Sequence, residues 1–196
     1  MDIIKLDENL MQGSKPDCKI TEGIWIAGGA VRSWFVKEKA MDIDIFTHSS
    51  DCFTAFKDEN NLNDQNCIHN EKNVETYSID NKRIQLIKFY RENVKELLDS
   101  FDFTICQFAY DGGNIFTTPN AIVSTLRKHL AVNKIQEGFE MDSFRRAFKY
   151  QQKGYQPCIG TMRDIALALS QKEQKELEQQ VQMSPGGGTR GFIRWD

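Results

Sequence analysis

Two aspartates separated by a single isoleucine, Asp42 and Asp44, carry the clearest chemical signal in this chain. They lie in the segment MDIDIF, where acidic and apolar residues alternate with the period of two that is typical of a β-strand. On a strand both carboxylates leave the same face, and two like charges so close together are costly unless a cation compensates them. Because the ligands are oxygens only, the pair predicts Mg²⁺ or Mn²⁺ rather than zinc.

A glycine pair upstream fits the same chemistry. Gly28 and Gly29 follow the apolar run GIWIA and precede a segment with helical spacing. Without side chains, they allow a triphosphate to approach the backbone at the start of a helix, where negative charge is favoured. Arg32, one turn further on, could reach a phosphate or a carboxylate. Two metal ions on the aspartates could then hold an attacking oxygen and a leaving pyrophosphate in line.

The elements that must position these residues predict an α+β fold. Strands are expected at GIWIA, MDIDIF, VETYSI and RIQLIKFY, and in the run FTICQFAYDGGNIFTT. Helices are expected at AVRSWFVKE, SSDCFTAFKDE and NVKELL, at PNAIVSTLRKHLAV behind the cap Thr118, and over 140–152 and 161–182. This order predicts a small mixed sheet with helices on one face, followed by a short helical neck. The predicted divisions are a lead-in at 1–22, a head at 23–130, the neck at 131–183 and a glycine-rich tail at 184–196.

Composition and charge limit the class of protein. The chain has 196 residues, of which 40 % are hydrophobic and 27 % charged, as in ordinary globular proteins. No apolar run approaches the roughly 20 residues of a membrane span, and the N-terminus lacks the pattern of a secretory signal, so a cytoplasmic location is expected. Five cysteines without CxxC spacing predict free thiols, and Cys67 with His69 is too small a set for zinc. Residues 145–196 carry a net charge of +4 within a total of −3, which permits a polyanionic partner.

The order of these motifs resembles the head of the polymerase-β-type nucleotidyltransferases. Within them it is most similar to the CCA-adding tRNA nucleotidyltransferases and bacterial poly(A) polymerases, whose first motif is an apolar strand, GGxVRD and DxDI. WIAGGAVRSWFVKEKAMDIDIF matches it, except that Ser33 replaces the aspartate. SFDFTICQFAYD resembles their second motif, RRDFTINALAYD, from Asp102 onwards. A weaker match to EDxxR lies at Asp142 and Arg145, with Met141 in place of the glutamate, so the resemblance covers about residues 22–153.

The resemblance implies transfer of a nucleoside monophosphate from a nucleoside triphosphate to a hydroxyl, with release of pyrophosphate. An RNA 3′ end is the acceptor that it implies, and a protein or small-molecule hydroxyl remains open. It implies eight site residues: the catalytic metal ligands Asp42 and Asp44, and the nucleotide-binding residues Gly28, Gly29, Arg32, Asp102, Asp142 and Arg145. Asp142 and Arg145 would select the base, whereas Asp102 could either contact the nucleotide or orient the site.

The chain departs from the family pattern at positions that bear on activity. Ser100 and Phe101 stand where the family has two arginines that help to hold the nucleotide, and Cys106 replaces an asparagine. The strand RIQLIKF carries Gln85 but no third carboxylate. The predicted replacement cations lie on the neighbouring hairpin: Lys82, Arg83 and Lys88.

Alternative functions remain open on the sequence alone. A degenerate transferase fold could bind a protein or RNA through its basic helices or through the apolar tip GFIRWD, and a toxin-like transferase could act on tRNA or protein. Only about 40 residues follow the neck motif, so a complete CCA-adding cycle is not expected. A minimal transferase from a viral or mobile genome is the expectation.

Overall fold

The computed structural model describes residues 1–10, 18–40, 42–79 and 82–182, so the tail predicted at 184–196 lies outside the described residues. The described residues form ten strands and six α-helices, in this order: β1 (Ile4–Asp7), β2 (Ile24–Ala27), α1 (Gly29–Phe35), β3 (Asp42–Thr47), α2 (Ser50–Glu59), β4 (Cys67–Asn70), β5 (Val74–Ile79), β6 (Lys82–Ile87), α3 (Val94–Asp99), β7 (Phe108–Tyr110), β8 (Asn114–Thr117), α4 (Pro119–Leu126), β9 (His129–Leu130), α5 (Glu140–Gln152), β10 (Gln156–Pro157) and α6 (Ile159–Gln182).

One mixed sheet organises the head. Its strand order is β1-β8-β7-β2-β3-β6-β5-β4, and β3 pairs in parallel with β6 while the other neighbours are antiparallel. The predicted α+β fold is therefore confirmed. The sheet has eight strands and is larger than predicted, because β1 within the expected lead-in and β4 within an unassigned segment extend its two edges.

The two faces of the sheet are covered differently. α1 and α2 pack on one face, where Val31, Trp34 and Phe56 join Ile43 and Ile45 of β3 in the main core. The other face carries the alternate residues of β3. There the short helix α3 covers only part of the sheet, through Leu97 and Leu98, and it packs near Phe46 at the far end of β3. The end of β3 that bears the two aspartates is left for the site.

The helical neck closes a second, smaller core. α5 and α6 pack together, and Tyr150 and Ile165 join Phe103, Leu130 and Tyr155 there. β10, between α5 and α6, pairs in parallel with β9. This pairing explains why the helix predicted from Pro119 ends at Leu126: Lys128 has a left-handed φ of 52°, and the next two residues turn into β9. All five cysteines are free thiols, as predicted. Within the described ranges, no helix has both the length and the apolar character needed to cross a membrane.

The segment expected to be one β-run from Phe103 onwards is divided in two. Thr104–Cys106 forms a 3-10 turn, and strand β7 begins only at Phe108. The division follows from burial in two places, because Ile105 and Cys106 pack into the neck core whereas Phe108 packs into the core of the sheet. The turn redirects the chain from one core to the other.

A buried ionic cluster on β5 is expected to make the head sensitive to acid. Lys57 Nζ lies 2.8 Å from Glu75 Oε2, Lys88 Nζ lies 3.1 Å from Oε1, and the Tyr77 hydroxyl also donates to this carboxylate. Burial opposes ionisation of Glu75, but these hydrogen bonds outweigh it and lower its pKa to about 2. A carboxyl whose pKa is lower in the folded than in the unfolded state stabilises the fold above about pH 4.5, and that stability is lost as the pH falls toward 2.

Glu75→Gln should therefore lower the free energy of unfolding by about 2 kcal/mol at pH 7, with the difference from the unmodified protein shrinking toward pH 2. Urea unfolding across this pH range measures it. Glu59→Gln, at an exposed position of α2, is the matched control and should change stability by less than about 0.5 kcal/mol. Equal effects of the two variants at pH 7 would show that the cluster adds no net stability.

Candidate active site

Asp42 and Asp44 leave the same face of β3, as the alternation predicts. Asp42 is 33 % exposed, and Arg83 Nη1 lies 3.6 Å from its Oδ1. Asp44 is half-buried, and burial together with the charge of Asp42 raises its pKa to about 6, although Lys149 and Arg146 partly offset the rise. Negative charge at this place is therefore only partly compensated by the protein.

The donor set of this pair fits a divalent cation. Two carboxylates share one face, and because burial and the charge of Asp42 raise the pKa of Asp44, a positive charge beside it would favour its ionised form. Across the described ranges, no cluster of three or more His, Cys, Asp or Glu side chains is placed to hold a metal. Remaining ligands would have to be water or phosphate oxygens, which Mg²⁺ ordinarily retains. Gln85, which pairs in register with Asp44, puts a neutral amide where a third carboxylate could stand.

The glycine turn brings backbone close to Asp44. Gly28 has a φ of 79°, in the left-handed region that residues with a Cβ rarely adopt. A Cβ at Gly28 would lie 3.6 Å from the Phe101 ring and 3.8 Å from Asp44 Oδ2. The Gly28 amide donates to the Phe108 carbonyl oxygen at 2.8 Å, which anchors the turn to the sheet. Gly29 follows as the first residue of α1.

A cleft of about 370 Å³ lies beside these groups, between the sheet and α5. Four of the eight predicted site residues line it: Gly28, Gly29, Asp44 and Asp102. Its cationic lining comes from Arg91, Arg146 and Lys149, which were not among the predicted replacements for the missing arginines. Lys82, Arg83 and Lys88 do not line the cleft, and Lys88 is held by Glu75 and Asn70 on another part of the sheet.

Asp102 joins the second sequence motif to α5. Its side chain is 4 % exposed, and Arg146 Nε lies 2.9 Å from its Oδ2. Burial raises the pKa of Asp102, against the opposing effects of Arg146 and Ser143. Its carbonyl oxygen accepts from the Asn133 amide at 2.7 Å. These contacts support a role for Asp102 in orienting the site, which was one of its two predicted roles, the other being direct contact with the nucleotide.

Arg32 lies behind the glycine turn instead of in the cleft. It is 1 % exposed, and its guanidinium carbon lies 5.3 Å from the Tyr150 ring centre and 5.1 Å from that of Tyr155. Its Nε and Nη1 are without hydrogen-bond partners in the described structure. Nη2 lies 3.7 Å from the place that a Cβ of Gly29 would take. Arg32 thus connects the turn to the neck by cation–π packing, and this supports the site without reaching into the cleft.

The two residues expected to read the base lie outside the cleft. Asp142 and Arg145 are 55 % and 74 % exposed, and they pair with each other across one turn of α5 at 3.6 Å. Ser143, Arg146 and Lys149 of the same helix line the cleft instead. Each residue turns an α-helix by about 100°, so neighbours in sequence face different directions. The structure therefore does not bring Asp142 and Arg145 together with the other site residues.

One signal in the sequence could have found the cleft-facing cations of α5. Ser143, Arg146 and Tyr150 follow helical spacing, and Ser143 and Tyr150 are buried. The face that buries Tyr150 is therefore the face that carries Arg146, whereas Arg145 falls beside it. No comparable pattern marks Arg91, which comes after the end of β6 in an irregular segment.

The fold is shared with solved nucleotidyltransferases. The Thermotoga maritima CCA-adding enzyme complexed with tRNA is similar with a TM-score of 0.57 and 21 % identity, over 80 % of this chain and 39 % of that chain. A CCA-adding enzyme with CTP is similar with a TM-score of 0.58 and 20 % identity, over 80 % of this chain and 42 % of that chain. A tRNA nucleotidyltransferase with a primer tRNA and an incoming ATP analogue is similar with a TM-score of 0.55 and 16 % identity, over 78 % of this chain and 48 % of that chain. At these identities the likeness shows a shared fold.

The family is narrower than the fold. A family model described as Gabija anti-defense 2 family protein matches residues 5–128, and the chain belongs to this family. A curated relative, Gabija anti-defense 2 of Bacillus phage SPbetaL7, is 26 % identical over 132 residues, which are 66 % of this chain and 33 % of the relative. The chain thus spans about a third of that relative's length.

Proposed function

We propose that this chain is a metal-dependent nucleotidyltransferase that moves a nucleoside monophosphate from a nucleoside triphosphate to a hydroxyl and releases pyrophosphate. The observation that carries the proposal is the convergence of Asp44, the Gly28 turn, Arg146 and Lys149 on one cleft, with Asp42 on the same face of β3. A paired carboxylate, an approachable backbone and cations are the groups that a metal-bound triphosphate requires.

Each part of the site has a separate task in this proposal. Asp42 and Asp44 would hold Mg²⁺ or Mn²⁺, which supplies charge neutralisation to the triphosphate and to the attacking oxygen. Gly28 lets phosphate oxygens approach the main chain, because a side chain there would fill the space next to Asp44. Arg146 and Lys149 place positive charge on the opposite wall of the cleft. They would take the role of the two family arginines that Ser100 and Phe101 replace in this chain.

The acceptor that we propose is an RNA 3′ end. Similar folds are solved with tRNA, with CTP and with ATP, which supports a nucleotide donor and an RNA acceptor. The family name points to a phage protein that counters the Gabija defence, so we place the reaction in the cytoplasm of an infected cell. Transfer to a protein hydroxyl is the second candidate, because the family is named for an anti-defense role and its name states no RNA substrate.

A catalytically inactive fold that only binds a partner is less well supported. Ser100 and Gln85 weaken the site relative to the family pattern, and both line the cleft. However, burial and the neighbouring charge of Asp42 raise the pKa of Asp44, so the charged form of Asp44 is unfavourable without a cation. A fold without a cation to bind would gain stability by losing one of these carboxylates.

Labelled nucleotide transfer tests the proposal. The protein is incubated with Mg²⁺, each α-labelled nucleoside triphosphate, and either total RNA or total protein from a Bacillus host. An Asp42→Asn/Asp44→Asn variant removes the metal site, and Asp51→Asn/Asp58→Asn removes two exposed charges of α2 as a matched control. Label that enters RNA with the unmodified protein and with the control, but not with the site variant, is the expected result.

The same assay separates the alternatives. Label in protein alone would replace the RNA acceptor by a protein hydroxyl. If no label is transferred and Mg²⁺-dependent triphosphate binding is also absent, the proposed function is wrong. Binding without transfer to either pool would leave a nucleotide-binding module as the function of this fold.

A further inference from the structure

The cleft has two ends of different chemistry. Near the glycine turn the lining carries the charged groups Asp44, Arg146 and Lys149, together with the ring of Phe101. Gln85, Ile87 and Phe89 also line it, as alternate residues of an extended segment should. Phe89 lies two residues beyond the end of β6 and four residues along the chain from Gln85, which pairs in register with Asp44.

An aromatic pair marks this second end. The ring centres of Phe89 and Phe139 are 6.0 Å apart, and their planes meet at 86°. Phe89 follows strand β6, and Phe139 is the residue immediately before α5, so the pair joins the sheet to the neck across the cleft. Both side chains line the cleft and are only half-buried, which leaves apolar ring surface available to a ligand.

Three polar side chains at this end each donate one hydrogen bond to the main chain. Gln136 Nε2 donates to the Ser100 carbonyl oxygen at 2.7 Å, the Ser100 hydroxyl donates to the Leu97 carbonyl oxygen at 2.7 Å, and Arg91 Nη1 donates to the Tyr90 carbonyl oxygen at 2.9 Å. Arg91 Nε is buried and has no partner in the described part of the chain. A single donor of this kind does not distinguish bases, because all of them carry hydrogen-bond acceptors.

We propose that Phe89 and Phe139 form the surface on which the nucleobase of the donor triphosphate stacks, and that the site accepts all four bases with little discrimination. This inference rests on the proposed function, since it assigns the base end of the same cleft. Stacking on an aromatic ring tolerates any base, because every base has a flat π face. Asp142 and Arg145, the side chains that the family resemblance implies for base selection, are exposed and lie outside the cleft.

The test compares nucleotides with a ligand that has phosphates and no base. Equilibrium binding of ATP, CTP, GTP, UTP and inorganic tripolyphosphate, each with Mg²⁺, is measured by calorimetry on the full chain. The variants are Phe89→Ala, Phe89→Trp and the control Phe148→Ala, which removes an aromatic side chain of α5 that is 52 % exposed and does not line the cleft.

The expected result has three parts. The unmodified protein binds the four nucleoside triphosphates with affinities within about fivefold of one another. Phe89→Ala weakens all four by about 5- to 150-fold, the range of base–aromatic stacking, and leaves tripolyphosphate binding unchanged. Phe148→Ala binds the four nucleotides as the unmodified protein does, and Phe89→Trp, which keeps an aromatic surface, retains most of the affinity that Phe89→Ala loses.

Other outcomes would overturn the inference, and they differ from failure of the proposed function. An equal loss of tripolyphosphate affinity in Phe89→Ala would show that the ring holds the fold and not the base. A preference of tenfold or more for one nucleotide would exclude tolerant stacking. Tripolyphosphate bound as tightly as the nucleotides would exclude stacking while leaving the phosphate site intact. If the unmodified protein bound none of the five ligands, the proposed function would fall together with the inference.

Discussion

Asp44→Asn is expected to abolish nucleotide transfer and, at the same time, to stabilise the metal-free protein. The substitution keeps the shape of the side chain and removes one of the two charges that would hold the metal. Substitution of residues that only hydrogen-bond a metal's ligands costs about 10–100-fold in metal affinity or activity. Loss of the charge of a ligand itself should therefore cost more than about 100-fold in transfer rate. Transfer of labelled nucleotide with excess Mg²⁺ measures this loss.

The stabilisation follows from the electrostatics of the pair. Burial and the neighbouring Asp42 raise the pKa of Asp44 to about 6, above its ordinary value of 3.8. An acid whose pKa is higher in the folded than in the unfolded state holds its proton more tightly when folded. Its ionisation therefore lowers the free energy of unfolding as the pH rises from about 4 to about 6, and the loss persists above that. Because the side chain is partly solvated, asparagine should restore on the order of 1–2 kcal/mol at pH 7.5.

Urea unfolding in EDTA at several pH values tests this second effect. The gain from Asp44→Asn should be full at pH 7.5 and should shrink toward pH 4, where Asp44 of the unmodified protein is protonated. Asp51→Asn, at an exposed position in the first turn of α2, is expected to leave transfer unchanged and to lower stability by less than about 1 kcal/mol, which is opposite in sign to the Asp44 effect. A variant that lost stability at pH 7.5 would contradict the electrostatic argument, and one that kept its transfer activity would contradict the role of Asp44.

The parts of the site that could be predicted from the sequence are those whose signals are local. Alternation in the strand fixes which face carries Asp42 and Asp44, because Ile43 and Ile45 must enter the core. Helix starts were equally local: the Thr118 side chain accepts from the Ala121 amide at the head of α4, as the Thr–Pro pair predicts. Both kinds of signal depend only on residues a few positions apart.

The parts that could not be predicted depend on contacts between distant segments. β1 becomes a strand because it pairs with β8, more than a hundred residues away, and its own pattern is short. The cationic lining of the cleft depends on how α5 lies against the sheet. A difference of one residue on a helix turns a side chain by about 100°, so a motif match alone could not decide between Arg145 and Arg146.

This one-residue difference gives the second large effect. Arg146→Ala is expected to weaken Mg²⁺–nucleoside triphosphate binding by at least about tenfold, because the guanidinium lines the cleft and charge-assisted contacts with phosphate are strong. Arg145→Ala is the matched control on the neighbouring position. Its side chain is 74 % exposed and pairs only with Asp142 in the described structure, so it should bind nucleotide within twofold of the unmodified protein.

Arg146 also has a structural role, and a double variant separates the two. Removing it leaves the carboxylate of Asp102, which is 4 % exposed, without its cation, and an uncompensated buried charge costs on the order of 3 kcal/mol of stability. Asp102→Asn/Arg146→Ala removes both charges, so it should recover much of the lost stability in urea unfolding. Nucleotide binding should stay weak in the double variant, because the cation that faces the phosphates is still missing.

Comparing nucleotide binding by Arg145→Ala and Arg146→Ala also decides which face of α5 contacts the nucleotide. If Arg145→Ala were to weaken binding and change the base preference while Arg146→Ala did neither, α5 would turn its other face to the nucleotide, and the role implied by the family motif would hold. If the double variant were to recover nucleotide binding together with stability, Arg146 would act only through Asp102. We expect the double variant to recover stability but not nucleotide binding. That result would identify Arg146 as the cation that replaces the two family arginines at the positions of Ser100 and Phe101.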